Sequence, residues 1–159
     1  AGIVMANAQK FALIDMEYIM ENIPEYQQAN NELELASQQY QKAVEAKAKE
    51  AEALYLAYQK AANTLSATQR TQKEEAIVAK EREAAELRKK YFGPEGEMAQ
   101  KQEALIAPIQ NRIYEAVKQI SSQKGYDAVI DRASATSIIF ASPRIDISNE
   151  VLAKLGYSN

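Results

Sequence analysis

The sequence predicts an α+β fold that is mostly α: a long antiparallel coiled-coil helical hairpin on a small β-sheet body. Three observations predict it. Residues 25–124 carry the apolar spacing of helices with a polar break near their middle, strand-like segments lie on either side of this stretch, and a capped helix signal ends the chain. Such a hairpin forms an arm on a body, which suits binding better than catalysis.

The chain divides into four predicted parts. Residues 1–8 are a signal-peptide remnant or disordered tail, 9–24 begin the body, 25–124 form the arm with its tip near 63–68, and 125–159 complete the body. The A-x-A pattern of residues 6–8 is typical of a signal-peptide cleavage site, so we expect a mature chain that begins near Gln9. A flexible alanine-rich terminus is the alternative.

The first part of the body is predicted to contain a strand and a short helix. Phe11–Met16 is apolar at nearly every position, which favours a strand that is covered on both faces. Residues 17–22 favour a short helix. Pro24 lacks a backbone donor and marks a joint before the long helix begins.

The outgoing limb of the arm carries a coiled-coil seam. Its apolar steps of three and four residues, with one doubled four, predict a coiled coil with one stutter. Alanine and tyrosine stand where leucine or isoleucine would bury more area, so we expect the arm to bend easily. The predicted seam is Leu33, Ser37, Tyr40, Val44, Ala48, Ala51, Tyr55, Tyr58, Ala62 and Leu65.

The return limb begins after the tip. Ser66 and Gln69 match a capping box, which predicts the start of a new helix. Residues 93–96 interrupt this limb, either as a kink or as a short loop. Its predicted seam is Ile77, Ala84, Leu87, Tyr91, Met98, Leu105, Ile109, Ile113, Val117 and Ile120.

The last part of the body is predicted to be a strand hairpin and a helix. Gly125 fits the position after a helix end, and the runs 128–131 and 137–141 favour two strands. Asp146 or Ser148 caps a final helix that Gly156 closes. The consecutive Ile138, Ile139 and Phe140 suggest that another subunit covers one sheet face, so we expect an oligomer whose interface contains Phe11, Leu13, Ile14, Val129, Ile130, Ile138, Ile139 and Phe140.

The composition disfavours catalysis and cofactor binding. The chain has no histidine or cysteine, so it lacks the usual general base, thiolate nucleophile and soft metal ligands. A net charge of −3 gives no attraction for nucleic acid, and no apolar run is long enough to cross a bilayer. We expect no enzyme, cofactor or metal site, although Glu81 with Glu86, or Glu74 with Glu75, could act as acid, base or hard-metal ligands.

The order of these elements resembles the Skp/OmpH family of periplasmic chaperones over Lys10–Leu155. No catalytic signature is involved, and the resemblance depends on the order of the segments. The stretches that carry it are Phe11-Ala12-Leu13-Ile14-Asp15-Met16, Pro108-Ile109-Gln110, Tyr126-Asp127-Ala128-Val129-Ile130-Asp131 and Asp146-Ile147-Ser148-Asn149-Glu150-Val151-Leu152.

The resemblance implies a periplasmic homotrimer. Its arms would enclose a cavity that holds unfolded outer-membrane proteins without ATP, with the outer-membrane assembly machinery as a further partner. The absence of a GxxxxGK[ST] loop is consistent with this. Well-known members are strongly basic, whereas this chain has a pI near 5.2. We therefore carry over no lipopolysaccharide site.

Client contacts are expected near the arm tip. The candidates are Leu54, Leu56, Tyr58, Leu65 and Ile77. For the tyrosines at 40, 55, 58 and 91, packing in the seam is the alternative to client contact. A structural or adaptor coiled-coil protein without chaperone activity is the alternative function, although the small polar residues 66–69 lack the apolar tip motif that a docking hairpin needs.

Overall fold

The computed structural model describes Gly2 and residues 8–157, which form two compact units. The terminal unit contains the described residues up to Ala29 and from Leu105 onward. The hairpin unit is Asn30–Ala104. Most of the A-x-A pattern at residues 6–8 lies outside the described residues, so the predicted cleavage site remains an expectation.

The described chain is mostly helical with a small sheet, as the sequence predicted, and this sheet has two strands. Two short 3-10 turns, at Ala62–Thr64 and Pro143–Ile145, interrupt the connections. In chain order the regular elements are β1 (Phe11–Ile14), α1 (Met16–Glu21), α2 (Pro24–Ala61), α3 (Ala67–Phe92), α4 (Glu97–Lys124), β2 (Ala128–Asp131) and α5 (Ser148–Lys154).

The sheet of the terminal unit is parallel. β1 pairs with β2 in the register Phe11 to Ala128 through Ile14 to Asp131. The predicted strand Phe11–Met16 was two residues too long. Asp15 ends it, because its carboxylate accepts a hydrogen bond from the Tyr18 amide and so caps α1.

The predicted strand hairpin at 128–131 and 137–141 is wrong. The first run forms β2, but the second has no strand conformation, and the other side of β1 is taken by a single bridge from Leu13 to Asp146. An apolar run becomes a strand only where a neighbouring strand offers hydrogen bonds, and residues 137–141 have none within the described chain.

The core of the terminal unit lies where α1, α4 and α5 pack with one face of the sheet. Val151 and three isoleucines, Ile19, Ile23 and Ile113, are its fully buried large side chains. Apolar residues at helical spacing on α4 supply one side of this core. The buried cluster is Ala12, Ile14, Ile19, Met20, Ile23, Ile109, Ile113, Ala116, Ile120, Ile147, Val151 and Leu152.

Both predicted glycine helix ends in this unit are confirmed. Gly125 follows α4 with a φ of 72°, and Gly156 follows α5 with a φ of 92°. These left-handed values are strained for residues with a Cβ. The amides of Gly125 and Tyr126 donate to the Ser121 carbonyl at 2.8 and 3.0 Å, which satisfies the end of α4 before β2 begins.

The hairpin unit is antiparallel, as predicted. As residue numbers rise along α2, the numbers of their contact partners on α3 fall: Tyr40 stacks on Tyr91, and Lys47 pairs with Glu83. Tyr58 then pairs with Glu74. The two helices therefore run in opposite directions around a turn that contains Ala62–Thr64.

The predicted stutter in the α2 seam is wrong. Lys47 and Leu54 are half-buried where Ala48 and Tyr55 were expected, so the steps of three and four alternate without interruption from Ser37 to Tyr58. The sequence favoured Ala48 because lysine is rarely a seam residue. Lys47 is accepted there because its ammonium lies 3.6 Å from a Glu83 carboxylate oxygen.

Two local signals fix the ends of α3. The predicted capping box is present, because Ser66 accepts from the Gln69 amide while the Gln69 side chain accepts from the Ser66 amide. The break at residues 93–96 is a short loop between α3 and α4. A Cβ on Gly93 would lie 2.4 Å from the Lys89 carbonyl oxygen, so a larger residue would displace the loop.

Replacing Ile113 by alanine should destabilise the terminal unit strongly. Ile113 is fully buried in the core, so Ile113→Ala removes apolar contacts and leaves a cavity, which costs about 2–5 kcal/mol. Urea unfolding followed by circular dichroism measures this. The control is Tyr114→Ala on the next position, where the exposed side chain predicts a change below about 0.5 kcal/mol. Equal effects would contradict the assigned core.

Candidate interaction surfaces

The terminal unit exposes large apolar side chains beside its sheet. Phe11 is 47% exposed, Ile130 42%, Phe140 85% and Ile139 100%. Single exposed apolar residues are ordinary, but four in one small unit, two of them almost wholly uncovered, are not. These four residues are called the exposed apolar set below.

The pleat of the sheet explains why Phe11 and Ile130 are exposed. Side chains alternate between faces along a strand, so Ala12 and Ile14 point to the core while Phe11 points to the other face. Ile130 pairs with Leu13 and lies on the same face as Phe11. In the described chain β2 has a strand neighbour only on its β1 side, so its other edge is unpaired.

The other four predicted interface residues are less exposed than the exposed apolar set. Leu13 and Ile14 are each only 4% exposed. Val129 and Ile138 are half-buried. The chain itself therefore covers part of the predicted interface, and its assignment remains a prediction.

A polar network holds the strands, α1 and α5 together. Asp131 accepts from the Met16 amide, and Ser148 Oγ accepts from the Asp15 amide at 2.8 Å. Asp146 accepts from both the amide and the hydroxyl of Ser148, and from Arg132 at 3.3 Å. These hydrogen bonds thus connect segments that the two-stranded sheet does not pair.

The pKa of Asp146 is lowered below its ordinary value of 3.8. Partial burial alone would raise this pKa, but the hydrogen bonds from Ser148 and the ion pair with Arg132 outweigh that effect. The carboxylate is therefore held in its ionised form. It acts as an acceptor that organises the start of α5, a structural role.

The predicted client-contact residues differ in exposure. Leu56 is 49% exposed, whereas Ile77 is only 7% exposed. Leu54, Tyr58 and Leu65 are half-buried in the seam. A client could reach Leu56 in the closed hairpin, but contact with Ile77 requires the two helices to separate.

The tyrosines of the hairpin unit are divided between seam and surface. Tyr40 stacks on Tyr91 with ring centroids 4.2 Å apart, and Phe92 meets Tyr40 edge to face. Tyr58 donates to Glu74 at 2.6 Å, and this hydrogen bond is the main cause that raises the pKa of Tyr58. Tyr55 is 48% exposed. Seam packing thus accounts for three of the four predicted positions.

An ionic layer, which the sequence analysis missed, crosses the hairpin at Lys47, Glu50, Lys80 and Glu83. Lys80 lies 3.2 Å from both Glu50 and Glu83, and Lys47 lies within 3.7 Å of the same two carboxylates. Hydrogen bonding to Glu83 is the main cause that raises the pKa of Lys80, and the same bond lowers the pKa of Glu83. The available signal was the two Lys-Glu pairs three residues apart.

Two further exposed apolar residues of the hairpin unit were also missed. Leu35 is 60% and Val78 50% exposed. Each lies next to a buried position, Ala36 or Ile77, and neither was among the predicted seam or client-contact residues. With Leu56 they give three exposed aliphatic side chains on the hairpin unit.

The described residues show no arrangement suited to metal binding. Residues 8–157 contain no cluster of three or more acidic side chains placed to hold a cation. Within that range no helix is both long and apolar enough to cross a membrane. The candidate interaction features are the exposed apolar set and the exposed Leu35, Leu56 and Val78 of the hairpin unit.

Comparisons with known proteins give related matches to a family, to a single relative and to a solved structure. The family model described as outer membrane protein (OmpH-like) matches residues 10–155. A chaperone protein Skp from Yersinia enterocolitica is 26% identical over 155 residues, which cover 98% of this chain and 91% of that protein. An OmpH-like crystal structure from Caulobacter crescentus CB15 aligns with a TM-score of 0.70 at 13% identity, covering 98% of this chain and 88% of that one. The last match shows a shared fold.

Replacing Asp146 by asparagine should weaken the terminal unit most at neutral pH. Because the folded-state pKa lies below 3.8, the ionised carboxylate stabilises the fold above that pH, and the contribution is lost as pH falls through the folded pKa. The gap in unfolding free energy between parent and Asp146→Asn should therefore shrink in acid. Urea unfolding at neutral pH and in acid tests this, with Glu17→Gln, at an exposed position of α1, as a charge-matched control. A gap independent of pH would contradict the assignment.

Proposed function

This chain belongs to the OmpH-like outer membrane protein family, and on that premise we propose that it is an ATP-independent holdase chaperone. It binds unfolded outer-membrane proteins and prevents their aggregation before membrane insertion. The match over residues 10–155 and the relative named chaperone protein Skp support the chaperone class. The client and the holding mechanism are the proposal.

The observation that carries this proposal is the weakly packed hairpin unit with apolar side chains on its surface. Leu35, Leu56 and Val78 are each about half exposed or more. An unfolded membrane protein also exposes apolar side chains, so the two surfaces gain by contact. Each contact is small and reversible, and several hairpins acting together give the avidity that holding requires.

We further propose a homotrimer assembled through the exposed apolar set. Copies of Phe11, Ile130, Ile139 and Phe140 that contact one another would lose water-exposed apolar area. The unpaired edge of β2 supplies backbone groups for the same association. Hairpin units from separate copies would then surround one client.

The holdase needs no chemistry of its own, and we propose that the protein is not an enzyme. Its perturbed titratable groups have structural partners: Asp146 accepts from Ser148 at the start of α5, and Lys80 and Glu83 pair across the hairpin with Glu50 and Lys47, respectively. We place the protein in the periplasm, exported by a signal peptide, with transfer of clients to the outer-membrane assembly machinery. The family assignment supports this location.

Shortening the hairpin should abolish holding. Deleting residues 54–77 and joining the helices by a short turn removes Leu54, Leu56, Tyr58, Leu65 and Ile77 while the terminal unit keeps its whole sequence. An outer-membrane protein diluted from urea should then aggregate as it does alone, measured by light scattering. The full-length chain should suppress that aggregation.

Circular dichroism and solution mass provide the control. The shortened chain should keep the assembly state of its parent, because the exposed apolar set is unchanged. Undiminished suppression of aggregation by this variant would refute residues 54–77 as the holding surface. Failure of the full-length chain to suppress aggregation would refute the proposed function.

A further inference from the structure

Packing in the hairpin unit changes just past the ionic layer, on the turn side of the buried Ala51 and Ile77. On the side toward the Tyr40–Tyr91 stack, the buried residues include Val44 and Ala84. On the turn side, the described residues 52–76 contain no side chain in the buried class. Residues 52–76 are called the turn segment below.

The turn segment is held closed mainly by exposed polar contacts. Tyr58 donates to Glu74 at 2.6 Å, and Arg70 donates to the Ala62 carbonyl at 2.9 Å. Water can replace both contacts, so each adds little to the closed state. Residues 67–76 of α3 are all exposed, so this part of the helix buries none of its side chains against α2.

The seam of the turn segment nevertheless carries apolar side chains. Leu54, Tyr58 and Leu65 are half-buried, and Ile77 directly beyond the segment is buried. Separation of the helices would expose these side chains beside the already exposed Leu56. The apolar area lost from the closed state is small, so local opening has a low free energy compared with global unfolding.

We propose that the opened seam of the turn segment is the client-binding site, and that its ligand is an apolar stretch of unfolded polypeptide. The inference rests on the proposed holdase function and assigns its binding surface. The client replaces the return helix against Leu54, Tyr58 and Leu65. The closed hairpin competes with the client, so the apparent affinity falls by the fraction of hairpins that are open.

The ionic layer sets where the opening ends. On the side of the ionic layer away from the turn, the helices are joined by the Tyr40–Tyr91 stack and by buried Val44 and Ala84, which resist separation. On closing, Lys47 and Lys80 meet carboxylates on the opposite helix in only one register. The hairpin can therefore release a client and close again without slipping.

A crosslink across the turn segment tests the proposal. The chain has no cysteine, so Tyr58→Cys with Glu74→Cys places the only two thiols at positions in contact across the hairpin. A short bismaleimide then locks the segment closed. The matched control joins Tyr40→Cys with Tyr91→Cys on the other side of the ionic layer. The probe is an outer-membrane β-barrel protein diluted from urea.

The locked turn segment should bind this probe about tenfold more weakly or worse than the same variant without crosslinker. The control crosslink should leave binding within about twofold, because it spans helices that stay closed. Equal binding by locked and unlocked turn-segment variants would overturn the inference and leave the proposed function standing. Failure of the parent chain to bind the probe would overturn both.

Hydrogen exchange of the parent chain gives a second test that needs no substitution. Amides of α2 and α3 within the turn segment should exchange about tenfold faster, or more, than those of residues 36–47. Equal protection on the two sides of the ionic layer would overturn the inference. This outcome would not affect the holdase function itself.

Discussion

A two-stranded sheet covered by helices on one face has its other face only partly covered, and the rest of the structure depends on this constraint. On that face Leu13 is buried but Phe11 and Ile130 remain exposed, and the chain then adds Ile139 and Phe140 without burying them. Folding of one copy removes little of this apolar area from water. The proposed assembly of several copies would remove this apolar area from water and would bring several hairpin units to one client.

The hairpin unit reflects a different balance. Its seam uses Ala36, Ala51 and Ala84 as buried residues, which bury less area than leucine would. Lys47 and Lys80 then fix the register through charge pairs, while residues 52–76, on the turn side of the buried Ala51 and Ile77, contain no buried side chain. Register is well specified but closure is weak, a combination suited to a surface that opens and closes around a client.

Local signals in the sequence were sufficient for much of this fold. The Ser66 capping box, Pro24 and Gly125 each act through neighbouring backbone groups, and each lies where it was expected. The resemblance to the Skp/OmpH family is also confirmed by the family match.

Longer-range pairing could not be predicted as well. Whether β2 pairs with β1 or with residues 137–141 depends on the position of α4 and α5, and strand propensity alone favoured the wrong partner. Lys47 was missed in the seam because its partner Glu83 lies on another helix.

The most direct test of the account is the mass of the intact chain by sedimentation equilibrium: a trimer of three 17.7 kDa copies is predicted, and a monomer at every concentration would contradict it.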